Sequence, residues 1–302
     1  MKPSPALAGE GASPSLSQGE RVRDLRDHTV HIGTGEPQEI AFAPVFNTAV
    51  PFIDRHLAEG RGGKDAIRTA HGAVTYAQLA ANVNRAGNAL GALGLQHAER
   101  VLMVVKDCPE FFYVFWGAIK AGFVPVPLNT LFRADDYRFL IADSGCAAIV
   151  YSPEYASEVT PALDAAKGHL RAITTDELTQ RMAAVSADLA PARATADDDC
   201  FWLYSSGSTG KPKGAVHRHR DMLYTCVYYA GNILKMTERD VAFSAAKLFF
   251  AYGHGNAMTF PLWFGATAVL APERPTPEMT FAIVERFKPT LYFGVPDRKS
   301  VV

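Results

Sequence analysis

Short apolar blocks separated by helix-patterned stretches constrain this chain more than any other feature of its sequence. RVLMVV (100–105), FVPVPL (123–128), AAIVYS (147–152) and LRAITT (170–175) alternate with such stretches in the first part of the chain. CFWLYS (200–205), VAFSA (241–245), ATAVLA (266–271) and TLYFGV (290–295) do the same later. Blocks this short, with little polar alternation, read as strands covered on both faces. Parallel neighbours need a crossover segment, which the helical stretches supply. The expectation is an α/β fold with largely parallel sheets.

Helix signals support it. In TYAQLAANVNRAGNALGALGL, Thr75 and Gln78 have capping-box spacing, while Leu79, Val83, Ala86 and Leu90 share one face. Gly94 marks the stop of that helix. Pro109 suits a first turn and Gly122 an end, and Thr276–Pro277 read as an N-cap and first helical residue. The most membrane-like run, FFYVFWGAIKAGFVPVPL, is interrupted by Lys120, Gly122, Pro125 and Pro127. It reads as a buried helix followed by a strand rather than a membrane span.

The chain has 302 residues, 48% of them hydrophobic, enough for a buried core and more than one domain. Its 30 basic and 31 acidic residues leave a formal charge of −1, so no global field recruits nucleic acid or a membrane. Cys108, Cys146, Cys200 and Cys226 are scattered without a C-x-x-C pair, and the N-terminus lacks the apolar core of a signal peptide. Both features suit a reducing, cytoplasmic setting. Residues 1–40, rich in Pro, Gly and Ser, are expected to form a flexible tail. The polar run SADLAPARATADDD (186–199) reads as a linker between a first α/β subdomain, 41–190, and a second, 196–296.

The chemistry centres on SSGSTGKPKG, Ser205 to Gly214. The string follows an apolar strand and is expected to lead into a helix running through Tyr224 to about Leu234. In that position its free N–H groups and the helix dipole would favour an anion. Ser205, Ser206, Gly207, Ser208, Thr209, Gly210, Lys211, Lys213 and Gly214 together offer hydroxyls, close backbone approach and two cations, a set suited to a polyphosphate. The Walker A pattern is absent, because Gly210–Lys211 is followed by Pro212. The bland reading, a solvated Gly/Ser turn, fits a random cluster better than this complete string after a buried strand.

That string resembles the phosphate-binding signature of the adenylate-forming superfamily, which includes acyl-CoA synthetases. The resemblance runs from about residue 40 to Pro296 and is greatest to benzoate-CoA ligases, through FIDRHLAEGRG, FWGAIKAGFVPVPLNTL, ADDYRFLIADS, FWLYSSGSTGKPKG, FSAAKLFFAYGHGN and ERPTP. It implies the N-terminal domain of such an enzyme, two stacked αβ subdomains with largely parallel sheets. It also implies that a carboxylate of an aromatic acid, benzoate or hydroxybenzoate, attacks the α-phosphorus of ATP. Coenzyme A then displaces AMP to give a thioester. ATP, Mg2+ and coenzyme A are the implied cofactors, with Ser206, Ser208, Thr209, Gly210 and Lys213 holding the β- and γ-phosphates.

By the same resemblance, Ala251, Tyr252 and Gly253 in KLFFAYGHGN would line the acid pocket, a small residue beside an aromatic one suiting a flat aryl ring. Without the family, Phe249, Phe250 and Tyr252 read equally well as core aromatics. His254 is polar where this subgroup implies an apolar residue. His219 matches a histidine-basic pair that the family places downstream of the loop, open to a supporting role. His217 reads as part of a basic surface turn. The Asp197–Asp199 run reads as a solvated linker end, and no metal site is expected.

The family's downstream nucleotide motifs and C-terminal domain, with its catalytic lysine, have no counterpart in these 302 residues. The chain is therefore expected to be a truncated, inactive portion of a ligase with no confident catalytic residue. DRKSVV (297–302) continues no motif, matches the translation of a common sequencing adapter, and is expected to be non-native. Two other readings stand beside the ligase: an adenylating enzyme that uses a carrier-protein thiol, and a non-catalytic nucleotide-binding remnant.

Overall fold

Every apolar block becomes a strand, because each is too short for a buried helix and is flanked by caps or glycines that stop helices. The computed structural model describes residues 27–165, 170–205 and 211–295. In chain order its strands are β1 (Val30–Ile32), β2 (Ile40–Phe42), β3 (Asp65–Thr69), β4 (Gly72–Thr75), β5 (Arg100–Val104), β6 (Val124–Pro127), β7 (Ala148–Tyr151), β8 (Arg171–Thr174), β9 (Asp199–Ser205), β10 (Lys213–Arg218), β11 (Val241–Ser244), β12 (Thr267–Val269) and β13 (Leu291–Phe293). A four-stranded sheet has the order β6-β5-β7-β8 and is parallel throughout. A five-stranded sheet has the order β13-β11-β12-β3-β4 and is parallel except for the β3–β4 hairpin.

The second sheet crosses the expected linker. β12 pairs with β3, placing Ala268 opposite Ile67, so residues from 41–190 and from 196–296 share one sheet. The DAIRT–GAVT hairpin carries little apolar contrast, and only a pairing distant in sequence reveals its place. The main hydrophobic core likewise draws on both segments, including Ile67, Val101, Met103, Phe201 and Phe260. Of the expected tail at 1–40, residues 1–26 lie outside the described residues. Beyond them, β1 pairs antiparallel with β2, placing order where composition had suggested none. The expected non-native residues 297–302 also lie outside the described residues.

Helix Tyr76–Gly91 carries the capping box: Gln78 N–H donates to Thr75 Oγ1 at 3.2 Å, and Thr75 N–H donates to Gln78 Oε1 at 2.9 Å. It buries Leu79, Val83, Ala86 and Leu90. Helix Pro109–Ala121 packs against it. Gly87 and Gly117 permit the approach, since a Cβ on Gly117 would come within 3.0 Å of Val83 O. Phe111 through Lys120 are all buried, and Gly122 caps the helix at φ 87°. The Lys120 ammonium lies 2.6 Å from Asp54 Oδ1 and donates to Asn84 Oδ1 at 2.7 Å. This apolar run is thus a core helix followed by β6, as expected. Among the described residues, no helix is long and apolar enough to cross a membrane.

Candidate functional site

The expected strand–loop–helix around the polyphosphate string is a strand–loop–strand. β10 returns antiparallel to β9, with Lys213 opposite Ser205 and Gly214 opposite Tyr204. Pro212 explains the outcome. It lacks an N–H and biases Lys211 towards extended backbone, so the chain leaves the loop extended and the ladder with β9 continues from there. The first helical residue is Asp221, in a helix of four residues, Asp221–Tyr224, continued by a wider turn over Thr225–Gly231. The helix that follows the string therefore begins at Asp221, beyond β10, rather than directly at the string.

Ser206, Gly207, Ser208, Thr209 and Gly210 lie outside the described residues. The loop's described ends, Ser205, Lys211, Lys213 and Gly214, are all exposed. The Lys211 ammonium sits 5.5 Å from the centre of the Phe139 ring, a cation–π contact with helix Ala134–Ser144. The Tyr204 hydroxyl donates to Asp143 Oδ2 of the same helix at 2.6 Å. Trp202 and Tyr204 pack on the core beneath that helix, with Leu102, Val126 and Leu140.

The second candidate stretch follows β11. A helix opens at Ala251–His254, continues as a wider turn over Gly255–Thr259 and ends in Phe260–Phe264. Phe249 is buried, whereas Phe250 and Tyr252 are 50% and 48% exposed, which separates a core ring from two surface rings. Tyr252 stands edge-on to Phe293, with ring centres 6.5 Å apart, and its hydroxyl donates to Gly294 O at 3.4 Å. Ala251 is exposed beside it. Gly253 is buried, and a Cβ there would come under 3.0 Å of the Ala246 and Lys247 carbonyl oxygens.

Beneath this exposed aromatic lies a buried polar framework. Leu248 N–H donates to Asp107 Oδ1 at 3.2 Å. The Lys247 ammonium lies 3.8 Å from Asp107 Oδ2 and donates to the carbonyls of Ala271 (2.8 Å), Pro272 (3.2 Å) and Glu273 (2.6 Å). Burial pushes the Asp107 carboxyl up to about 6 against the pull of Lys247, and burial lowers the Lys247 ammonium. His254 Nδ1 is 3.2 Å from Leu248 O. A carbonyl only accepts, so Nδ1 carries the proton. The other ring nitrogen, Nε2, and both polar atoms of the Asn256 amide are buried without a partner among the described residues. The His254 ring stacks on Phe201 at 5.3 Å, and desolvation pushes its pKa down to about 3.

His219 is buried, and its Nδ1 accepts the Thr48 N–H at 3.1 Å. Burial lowers it to about 4. Its observed work is to join the β9–β10 hairpin to residues 47–50. His217 stacks on Phe201 at 4.6 Å with its Nδ1 3.5 Å from Asp221, a more specific place than a surface turn. Asp197 pairs with Arg218 and Arg220, in keeping with a solvated linker end. No cluster of His, Cys, Asp or Glu among the described residues could hold a metal. Asp107 was not singled out from the sequence. The available signal was a carboxylate just beyond the carboxyl end of a parallel strand, where α/β folds place ligands.

Known proteins resemble this chain over most of its length. A benzoate–CoA ligase of Thauera aromatica is 45% identical over 86% of this chain and 50% of its own length. A 4-hydroxybenzoate–CoA/benzoate–CoA ligase of Rhodopseudomonas palustris is 44% identical over 83% of this chain and 48% of its own. The crystal structure of a benzoate CoA ligase from Burkholderia xenovorans superposes with a TM-score of 0.78 at 39% identity, covering 83% of this chain and 50% of that one. The chain thus spans about half the length of the relatives it matches. The family model for AMP-binding enzymes matches residues 54–298, which include both the hairpin loop and the Tyr252 segment. The chain belongs to the AMP-binding enzyme family.

Proposed function

We propose that this chain supplies the phosphate loop and acid wall of a ligase that converts a benzoate- or hydroxybenzoate-type acid to its adenylate, and then to a coenzyme A thioester. The observation that carries this reading is the pairing of a cationic, hydroxyl-rich hairpin loop with an exposed aromatic on a rigid base, in a chain 45% identical to a benzoate–CoA ligase. Loop residues Ser205 to Gly214 would hold the β- and γ-phosphates, with Lys211 and Lys213 countering charge and Thr209 and the serines donating hydrogen bonds. Magnesium would arrive bound to ATP and neutralise the remainder. Ala251, Tyr252 and Gly253 would present a flat face to the aryl ring. Their base is set by the Lys247–Asp107 framework. Both reactants are anions, so alignment and charge neutralisation are what such a site must supply to the first step. The scattered, unpaired cysteines favour a reducing, cytoplasmic setting for that chemistry.

The test uses a reading frame of the relatives' length that carries this chain. Acid-dependent exchange of pyrophosphate into ATP is measured with benzoate, 3- and 4-hydroxybenzoate, and a straight-chain acid. Exchange with the aromatic acids, followed by thioester formation on adding coenzyme A, is expected. Exchange with the straight-chain acid alone would sink the reading.

A further inference from the structure

Three segments that follow parallel strands meet at one ammonium group. Asp107 lies just beyond β5 of the four-stranded sheet. Lys247 follows β11 and the carbonyls of 271–273 follow β12, both in the five-stranded sheet. The carboxyl ends of two sheets are therefore joined at one buried node, in the region where α/β folds bind ligands. Placing a charged pair there costs more than an apolar contact of similar size, so stability alone does not account for it.

The node's connections run towards Tyr252. Asp107 Oδ1 accepts from Leu248 N–H, and Leu248 O accepts from the buried His254 ring. Lys247 O accepts from Phe250 N–H at 3.0 Å, and Phe250 O accepts from His254 N–H at 2.8 Å. Gly253 packs directly over the Ala246 and Lys247 carbonyls. Among the described residues, the half-exposed Tyr252 side chain makes a long bond to Gly294 and an edge contact with Phe293. Its position is inherited from the backbone beneath it.

We propose that Lys247 and Asp107 are positioning residues: they clamp residues 247–254 to the carboxyl ends of both sheets and so set the affinity of the Tyr252 wall for an aromatic acid. The effect on affinity rests on the function proposed above; the clamp does not. Lys247→Met removes the ammonium. Asp107→Asn keeps an acceptor for Leu248 N–H while removing the charge, and carries the test should the lysine variant fail to fold.

Hydrogen exchange is followed by mass spectrometry on the 302-residue chain, with the β9–β10 hairpin as internal reference. Benzoate and ATP dissociation constants are measured on a reading frame of the relatives' length that carries the same substitutions. Exchange at residues 248–254 should quicken about tenfold while the hairpin's rate holds, and benzoate binding should weaken about tenfold with ATP binding unchanged. Unchanged exchange in both variants, or an increase spread evenly over β5–β8 and the hairpin, overturns the clamp. Faster local exchange with unchanged benzoate affinity overturns its effect on the wall. A wild type of the relatives' length that binds no benzoate counts against the proposed function instead, and the exchange result then decides the clamp alone.

Discussion

The β9–β10 hairpin and residues 244–256 carry the two halves of the proposed site, and they are built in opposite ways. The hairpin's loop is local, since it joins adjacent strands and its described ends are exposed, while the strands beneath it are anchored by Phe201 in the core, the Tyr204–Asp143 bond and the Lys211–Phe139 contact. Residues 244–256 are held from distant parts of the chain, by Asp107, by the carbonyls of 271–273 and by stacking of His254 on Phe201. A polyphosphate is recognised by many donors from consecutive residues that a ligand can reach from solvent. A flat ring needs a wall of fixed shape, which a single short segment cannot hold by itself.

Lys213→Ala should break the chemistry and spare the fold. In a reading frame of the relatives' length, adenylate formation should fall on the order of 10²–10³-fold, equivalent to about 3–4 kcal/mol. Denaturant melts of the same variant should shift by less than about 0.5 kcal/mol, as for an exposed side chain. A comparable stability loss would erase the contrast between the two regions.

Gly253→Ala should do the reverse. Its Cβ would press on the Ala246 and Lys247 carbonyls, main-chain atoms that cannot swing aside. A loss of about 3 kcal/mol is expected in urea unfolding. An unshifted midpoint would show that the wall segment is looser than its packing implies.

Asp107→Asn sharpens the comparison through pH. Burial raises the Asp107 carboxyl from 3.8 to about 6, so the folded chain holds this proton more tightly than the unfolded one. The stability it contributes is complete below the unfolded value and is lost as pH rises through about 6. The wild type should therefore carry a slope of up to about 1.4 kcal/mol per pH unit across that window that the asparagine variant lacks. Urea melts at several pH values between those limits measure it, and equal slopes would remove Asp107 from the account.

His254→Leu removes a buried acceptor without a partner but also strands the Leu248 carbonyl that Nδ1–H serves, so the net change at neutral pH should stay within about 1 kcal/mol. The histidine is depressed from 6.5 to about 3, so the stability tied to its neutral form is present above 6.5 and lost as pH falls through about 3. The leucine variant should therefore gain on the wild type as pH falls. A stability difference that does not change with pH would contradict this. The smallest effect is expected for Tyr204→Phe, about 0.5–1 kcal/mol from one exposed hydrogen bond, read as faster hydrogen exchange at the hairpin.

Much of this was legible in the residues, for reasons that differ from place to place. The capping box at Thr75–Gln78 and the cap at Thr276 are side-chain-to-backbone bonds within one turn, so spacing alone reveals them. The strands showed as apolar blocks because both sheet faces are covered. The helix expected after the phosphate string failed because a strand partner, β9, claimed KGAVHR before helical propensity could act. Phe249 and Phe250 are identical residues side by side, yet one is buried and the other half exposed. No local signal separates them.

The sequence by itself determined the α/β class, the eight apolar strands and the capped helices, because these depend on contacts within a few residues. Tertiary structure alone decided that residues 65–75 join the later strands in one sheet, that the string closes a hairpin, and that Asp107 and Lys247 meet beneath Tyr252. The physical reason is separation along the chain. Asp107 and Lys247 acquire their altered protonation and their partners only when burial removes water around them, and that burial is a property of the assembled sheets.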